Sequence, residues 1–340
     1  MMSTERNICM QKRVGIPSFL AVILLVIFCQ TAHTQNVNSE VFRFLNMPNN
    51  PRIAALGGNH PALIKGDGSL FQVNPAYLSG ASNNDISLSY ISFLSDVNFA
   101  VANWSHQVKD FGMLGAGISY IGFGDFDRTN ELGDVLGSFN ANELAFSIGL
   151  GRKFGEQIRY GASFNFIHSN LDRFNSTAIA FSVGGQYILN DGNTLFGLSF
   201  RNAGVQVSTF NNEREELPFD ILLGASHKLQ HTPLRFALTL QKMDEWDLAL
   251  AGDGGDDPGF FKNAARHLIV GTELLLSDNI HFRIGYNQFA HDNLSTSNRL
   301  DTAGMNFGMG IFIKKFRFNI SRSSFSDLGG STQISLKTSL

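Results

Sequence analysis

The residues able to do chemistry in this chain are few and scattered. His227 and His231 are four apart, the spacing at which two imidazoles on one helix face hold a metal. Pro233 follows them and the surrounding pattern is a strand end and a turn, so they read as polar residues of a turn. Asp253, Asp256 and Asp257 gather the carboxylate oxygens that Ca²⁺ takes, but without a spaced ligand repeat they read as a solvated acidic loop. Gly149-Leu150-Gly151 and Gly308-Met309-Gly310 lack the Lys and Ser/Thr of a phosphate loop, and there is no Gly-x-Ser-x-Gly elbow and no His-Glu-x-x-His. The two cysteines, Cys9 and Cys29, fall in a segment expected to be removed, which leaves no thiol nucleophile, disulfide or thiolate metal site. The expectation is a non-enzyme with no cofactor and no metal. What remains is aromatic: Phe210 in the connection 204–218, beside Glu213, Arg214, Glu215 and Glu216, and Trp246, Phe260 and Phe261 in the connection 243–264. Such side chains either anchor a protein partner or pack loop on loop.

The elements that position these residues follow from composition and periodicity. The chain has 340 residues, a formal net charge of −3, 34 Gly and 31 Phe, with only 16% charged residues. That balance offers nothing to nucleic acid, and the glycine and aromatic content suits many turning strands better than a helical bundle. Mean hydropathy near zero argues against a helical membrane protein and leaves a barrel open, since barrel strands are apolar only at every second position. Arg6, Lys12 and Arg13 followed by the apolar run 19–28 read as a signal peptide over 1–34, too short to span a bilayer as a helix.

Residues 35–84 do not alternate. Pro51 and Gly57-Gly58 bracket a short helical turn, and Asn74-Pro75-Ala76 opens another, so the segment must dock on a larger body. From Asp85 the period becomes two: Ile86, Leu88 and Tyr90 alternate with Ser87 and Ser89, and Ile280, Phe282, Ile284 and Tyr286 with His281, Arg283 and Gly285. About fourteen such stretches fit, roughly 85–94, 97–106, 111–121, 142–153, 157–168, 176–189, 194–203, 219–229, 234–242, 265–276, 279–287, 303–313, 316–323 and 331–340. Apart from the first connection, short at Ser95-Asp96, short turns alternate with long polar connections (122–141, 169–175, 204–218, 243–264, 288–302, 324–330), the signature of an outer-membrane barrel with short periplasmic turns and long outer loops. The fold expected is all-β: a 14-stranded antiparallel transmembrane barrel over 85–340, apolar outside and small or polar inside, in the outer membrane of a Gram-negative bacterium.

Phe42-Arg43-Phe44-Leu45-Asn46-Met47-Pro48, with Arg52-Ile53-Ala54-Ala55-Leu56-Gly57-Gly58, resembles the start of the PorQ family of the type IX secretion system. Phe71-Gln72-Val73-Asn74-Pro75-Ala76-Tyr77-Leu78 is similar to an element that this family shares with PorV and the FadL long-chain fatty-acid transporters, and Leu217-Pro218-Phe219-Asp220 resembles a Pro-initiated strand of PorQ and PorV. The resemblance implies a FadL-like barrel with residues 41–82 folded into the lumen as a hatch, Leu56, Gly57, Gly58, Asn74, Pro75 and Ala76 carrying the hatch motifs. It implies a non-enzymatic member of the attachment complex that tethers a PorZ-like surface protein, with PorU and PorV, for anchoring cargo at the cell surface. The alternative function is a FadL-like channel for hydrophobic small molecules, against which an inward face of small and polar residues would count.

Overall fold

The computed structural model describes residues 40–340 apart from 94–95, 251–258, 296–300 and 327–328. The signal-peptide reading and the acidic triplet Asp253, Asp256 and Asp257 lie outside the described residues.

Fourteen antiparallel strands close into one barrel in chain order, each paired to the next, and β14 pairs with β1. The strands are β1 Asp85–Ser92, β2 Asn98–Val108, β3 Gly112–Thr129, β4 Val135–Phe154, β5 Ile158–Leu171, β6 Phe174–Ile188 and β7 Thr194–Ser208. The second half is β8 Asp220–Lys228, β9 Leu234–Leu240, β10 Leu268–Leu275, β11 Ile280–Asn287, β12 Met305–Ile313, β13 Phe316–Ser324 and β14 Gly330–Ser339. Alternation sets the two faces. Leu88, Ile118, Phe146, Phe236, Phe318 and Ile334 stand exposed on the outside, an apolar surface that suits lipid, while Ser87, Asn103, Ser147 and Ser199 are buried inside. Tyr90 and Tyr120 flank Ala100 at one level of the outer surface, as an interfacial aromatic girdle requires. This is an outer-membrane barrel.

Two expectations need correction. The connections 122–141 and 169–175 are largely strand: β3 and β4 run 18 and 20 residues and β5 to β7 run 14 to 15, against 7 to 9 for β8 to β13. At about 3.3 Å per residue the longest reach about 60 Å, twice the membrane-sized strands, so one side of the barrel carries a tall outer wall. Above the membrane both faces of a hairpin are wet, and the period-two signal that marks strands fades. The second correction concerns the lumen. Ile91, Phe99, Val101, Ile121 and Ile167 turn inward from the outer parts of β1, β2, β3 and β5, so the inward face carries an apolar patch there beside polar residues such as Ser169, Ser176, Arg201 and Gln206.

Among the described residues three short helices complete the fold: α1 (Pro51–Ala55), α2 (Phe260–Arg266) in the β9–β10 connection and α3 (Gln288–Leu294) in the β11–β12 connection. Residues 40–84, with α1 and three 3-10 turns, lie within the barrel as a hatch against the inward faces of β1 to β6 and β10 to β14. Among the described residues no helix is long and apolar enough to cross a membrane.

Candidate functional site

The hatch is held at three levels. Nearest the short turns, strand register puts Arg235 (β9), Glu273 (β10) and Arg283 (β11) side by side on the inward face. Arg52 of α1 lies over this row and donates Nε and an outer nitrogen to the Glu273 carboxylate at 2.9 and 2.8 Å. Arg235 and Arg283 reach the same carboxylate at 2.6 and 2.9 Å. Arg52 also donates to the Ile64 and Lys65 carbonyls, so one side chain fastens α1, the following loop and the wall. Three guanidiniums on one buried carboxylate make a bond that is strong only while complete.

At mid-height the motif residues work through the backbone. Gly57 has φ +102°, a region an L side chain resists, and Gly285 of β11 lies so close that a Cβ there would sit 2.0 Å from the Leu56 carbonyl carbon. Leu56, Pro75 and Ala76 are buried, and Gly58, like Gly57, has a positive φ. Asn74 caps its turn by accepting from the Ala76 N–H at 3.0 Å and donates to the Pro61 carbonyl at 2.9 Å. Tyr77 donates its hydroxyl to the His60 carbonyl at 2.8 Å and accepts from the Leu63 N–H at 2.7 Å. His60 is fully buried between Thr239 (2.8 Å) and the Leu56 carbonyl (3.0 Å), and burial pushes its imidazole down to about 4. It is neutral, with Nε2–H donating to Leu56 and Nδ1 accepting from the Thr239 hydroxyl.

At the outer level a β-bulge in β7 shifts the register between Phe181 and Val183 of its partner strand, with Asn202 at φ 56°. The bulge buries two consecutive polar side chains, Arg201 and Asn202, on the lumen side. Arg201 donates to the carbonyls of Leu45 (2.8 Å) and Gln72 (3.3 Å) and pairs with Asp220 at 3.4 Å. Asn202 donates to Asn46 Oδ1 at 2.9 Å. Above them lies an apolar chamber filled by the chain itself. Phe42 and Phe44 are buried among Ile91, Phe99, Val101, Ile121, Ile167 and Leu217, and Phe44 meets Phe99 edge to face with centroids 6.1 Å apart.

The outer-loop aromatics divide. Trp246, Phe260 and Phe261 come together, with Trp246 and Phe261 each 5.6 Å from Phe260 by ring centroids, and Phe260 and Phe261 are 66% and 86% exposed. Their base is fixed: buried Arg266 of α2 donates to the Leu248 carbonyl and pairs with Asp292 of α3, both at 2.8 Å. Phe210 is half-buried in the β7–β8 connection and makes no ring contact with the trio among the described residues. His227 bonds Thr194 at 2.8 Å, and the described residues hold no metal-binding group of three. The charged row and Arg201–Asp220 were missed in the sequence because each charge stands alone on its own strand. An isolated charge at an inward position was the only signal.

No family model and no curated protein matches the sequence. Among solved structures, the monoaromatic hydrocarbon channel CymD has a TM-score of 0.55 at 13% identity, covering 89% of this chain and 99% of its own. TbuX, a toluene transporter of Ralstonia pickettii, gives 0.53 at 12%, covering 87% and 99%. A TodX monoaromatic hydrocarbon channel mutant gives 0.51 at 14%, covering 85% and 97%. The fold is thus that of the TodX-like outer-membrane barrels.

Proposed function

We propose that this barrel is a closed platform in the outer membrane that holds a surface protein at its outer rim. The observation that supports this best is the hatch: buried ion pairs and hydrogen bonds tie it to the wall at the inner, middle and outer levels of the lumen. The Arg52–Glu273 contact alone joins it to three strands. A hatch fastened by buried ion pairs costs more to displace than one held by packing alone. The tall wall of β3 to β7 and the exposed Phe260–Phe261 pair on its braced helix give a partner something to grip. The motif resemblance of residues 42–58 and 71–78 supplies the kind of partner, a PorZ-like surface protein of a secretion-attachment complex, and the absence of a nucleophile constellation in the sequence fits a tether.

A second reading, a channel for hydrophobic small molecules, is favoured by the apolar outer chamber and by the structural neighbours, whose names are those of hydrocarbon channels. The polar-lumen argument against it is weakened, since an apolar patch lines the outer half beside Arg201, Asn202 and Asp220. At 12–14% identity the likeness is one of fold, which platform and conduit share. The deciding experiment is recovery of the tagged, detergent-solubilised barrel from its own cells, run beside uptake of radiolabelled toluene by cells with and without it. Stoichiometric recovery of a surface protein, lost on shortening 243–264, with no difference in toluene entry, supports the platform. Recovery of the barrel alone with barrel-dependent toluene entry refutes it in favour of the channel.

A further inference from the structure

The inner mouth of the barrel holds a cavity of about 750 Å³, bounded by the hatch, the inward faces of β9 to β14 and the turns at 228–233, 275–280 and 313–316. Its charges do not balance. Arg52, Arg235 and Arg283 share the single carboxylate of Glu273. Across the cavity Lys337 pairs with Asp67 at 3.2 Å and Asp85 at 2.7 Å, and Arg317 stands 3.7 Å from Asp67. Five cations therefore meet three carboxylates, an excess of two positive charges. At the rim Lys228 and Lys314 add more, against Asp278.

Arg235 lines this cavity and holds Glu273 through one guanidinium nitrogen at 2.6 Å. An electropositive concavity with low-dielectric walls concentrates anions.

We propose that this inner vestibule binds a small polyanion carrying phosphate groups, either free or as the headgroup of a lipid, between Arg235, Arg283, Arg317 and Lys337. The volume fits a small molecule or headgroup and exceeds what one inorganic phosphate fills. Guanidinium forks match the paired oxygens of a phosphate, and the net positive lining matches its negative charge. An acidic peptide fits less well, because the closed barrel leaves no strand edge in the vestibule to satisfy a peptide backbone. The inference does not depend on whether the barrel is platform or channel.

The test is calorimetric titration of the detergent-solubilised barrel with inorganic pyrophosphate and, separately, with dihexanoyl phosphatidic acid. Arg317→Gln and Lys314→Gln serve as variants, since both sites lie toward the mouth and folding is checked by the heat-dependent gel shift of barrels. Saturable binding of pyrophosphate, weakened about tenfold in Arg317→Gln and less in Lys314→Gln, supports a free ligand. Binding of phosphatidic acid alone, weakened likewise, supports the headgroup source. Absence of saturable binding with both probes, binding unchanged in both variants, or equal affinity for a hexaglutamate peptide overturns the proposal.

Discussion

In the inner half of the lumen, hatch and wall meet through charge: Arg52 of α1 lies on a carboxylate that Arg235 and Arg283 also share. Farther out, beyond the Arg201 and Asn202 contacts, the same hatch meets the same wall through Phe42 and Phe44 packed against Phe99, Val101 and Ile121. The inner contact is directional and fails at once if one partner goes, because the rest are left buried and unpaired. The outer contact is non-directional, and a foreign apolar molecule of similar shape satisfies it equally. One end of the lumen is thus built to hold a single arrangement, and the other could exchange its occupant.

Removing the shared carboxylate should have the largest effect. Glu273→Ala strands three guanidiniums in the lumen and should cost about 3–5 kcal/mol of stability. Urea unfolding followed by Trp fluorescence would show it, and limited proteolysis should find the hatch cleavable within residues 52–66. An unchanged unfolding midpoint would mean that the charged lock contributes nothing and that the two halves do not differ in this way.

Next comes the outer half. Phe44→Ala should cost about 3 kcal/mol, the lower end for a buried Phe because the vacated space can be refilled. It should also let the chamber take up N-phenylnaphthylamine, with a rise in its fluorescence that Glu273→Ala does not give. A variant equally unstable but without dye uptake would make the chamber a plain packing contact and weaken the channel reading.

The strands and their number were legible because a membrane strand between water and lipid must alternate. The tall wall was not, because Asp125, Asp127 and Arg128 stand on a hairpin wet on both faces. The apolar chamber left a trace that alternation alone misreads: Tyr90-Ile91, Tyr120-Ile121 and Phe166-Ile167 are apolar doublets at outer strand ends, where one residue faces lipid and the next the chamber. The charged lock left almost none. Arg235, Glu273 and Arg283 become neighbours only through the register of β9 to β11, and Arg52 reaches them from 221 residues away in sequence from Glu273. Three of the four outer aromatics met in space, and nothing in their spacing set Phe210 apart.

Acid sharpens the comparison from the hatch side. His60 is held neutral at about 4 by burial, whereas the unfolded imidazole titrates near 6.5. Between those values the unfolded chain binds the extra proton, so the contribution is complete at pH 7, falls as pH drops through about 6.5 and is gone below about 4. Its full size is about 3 kcal/mol. Burial raises the Asp67 carboxyl, but Lys337, Ser69 and Arg317 outweigh it and hold it at about 2, so its contribution persists through that window and is lost only below pH 4. Hydrogen exchange of hatch amides at pH 7 and pH 4.5 should show loosening, flattened in His60→Gln. Equal protection at both pH values would show that His60 opens without disturbing the hatch.

The smallest effect on stability is expected at Phe261, which is 86% exposed on α2 while Arg266 braces the helix from beneath. Phe261→Ser should move the unfolding midpoint by less than about 0.5 kcal/mol, as for any surface change away from a packed contact. Its effect on partner recovery should be large, since an exposed aromatic on a rigid base is the usual anchor of a protein interface. The substitution therefore separates the two halves of the argument: it leaves both lumen contacts intact and touches only the rim. Lost recovery with an unchanged barrel would place the function at the outer surface and leave the apolar chamber as packing. Full recovery from Phe261→Ser, with Phe260→Ser also silent, would move attention from this loop to the wall of β3 to β7.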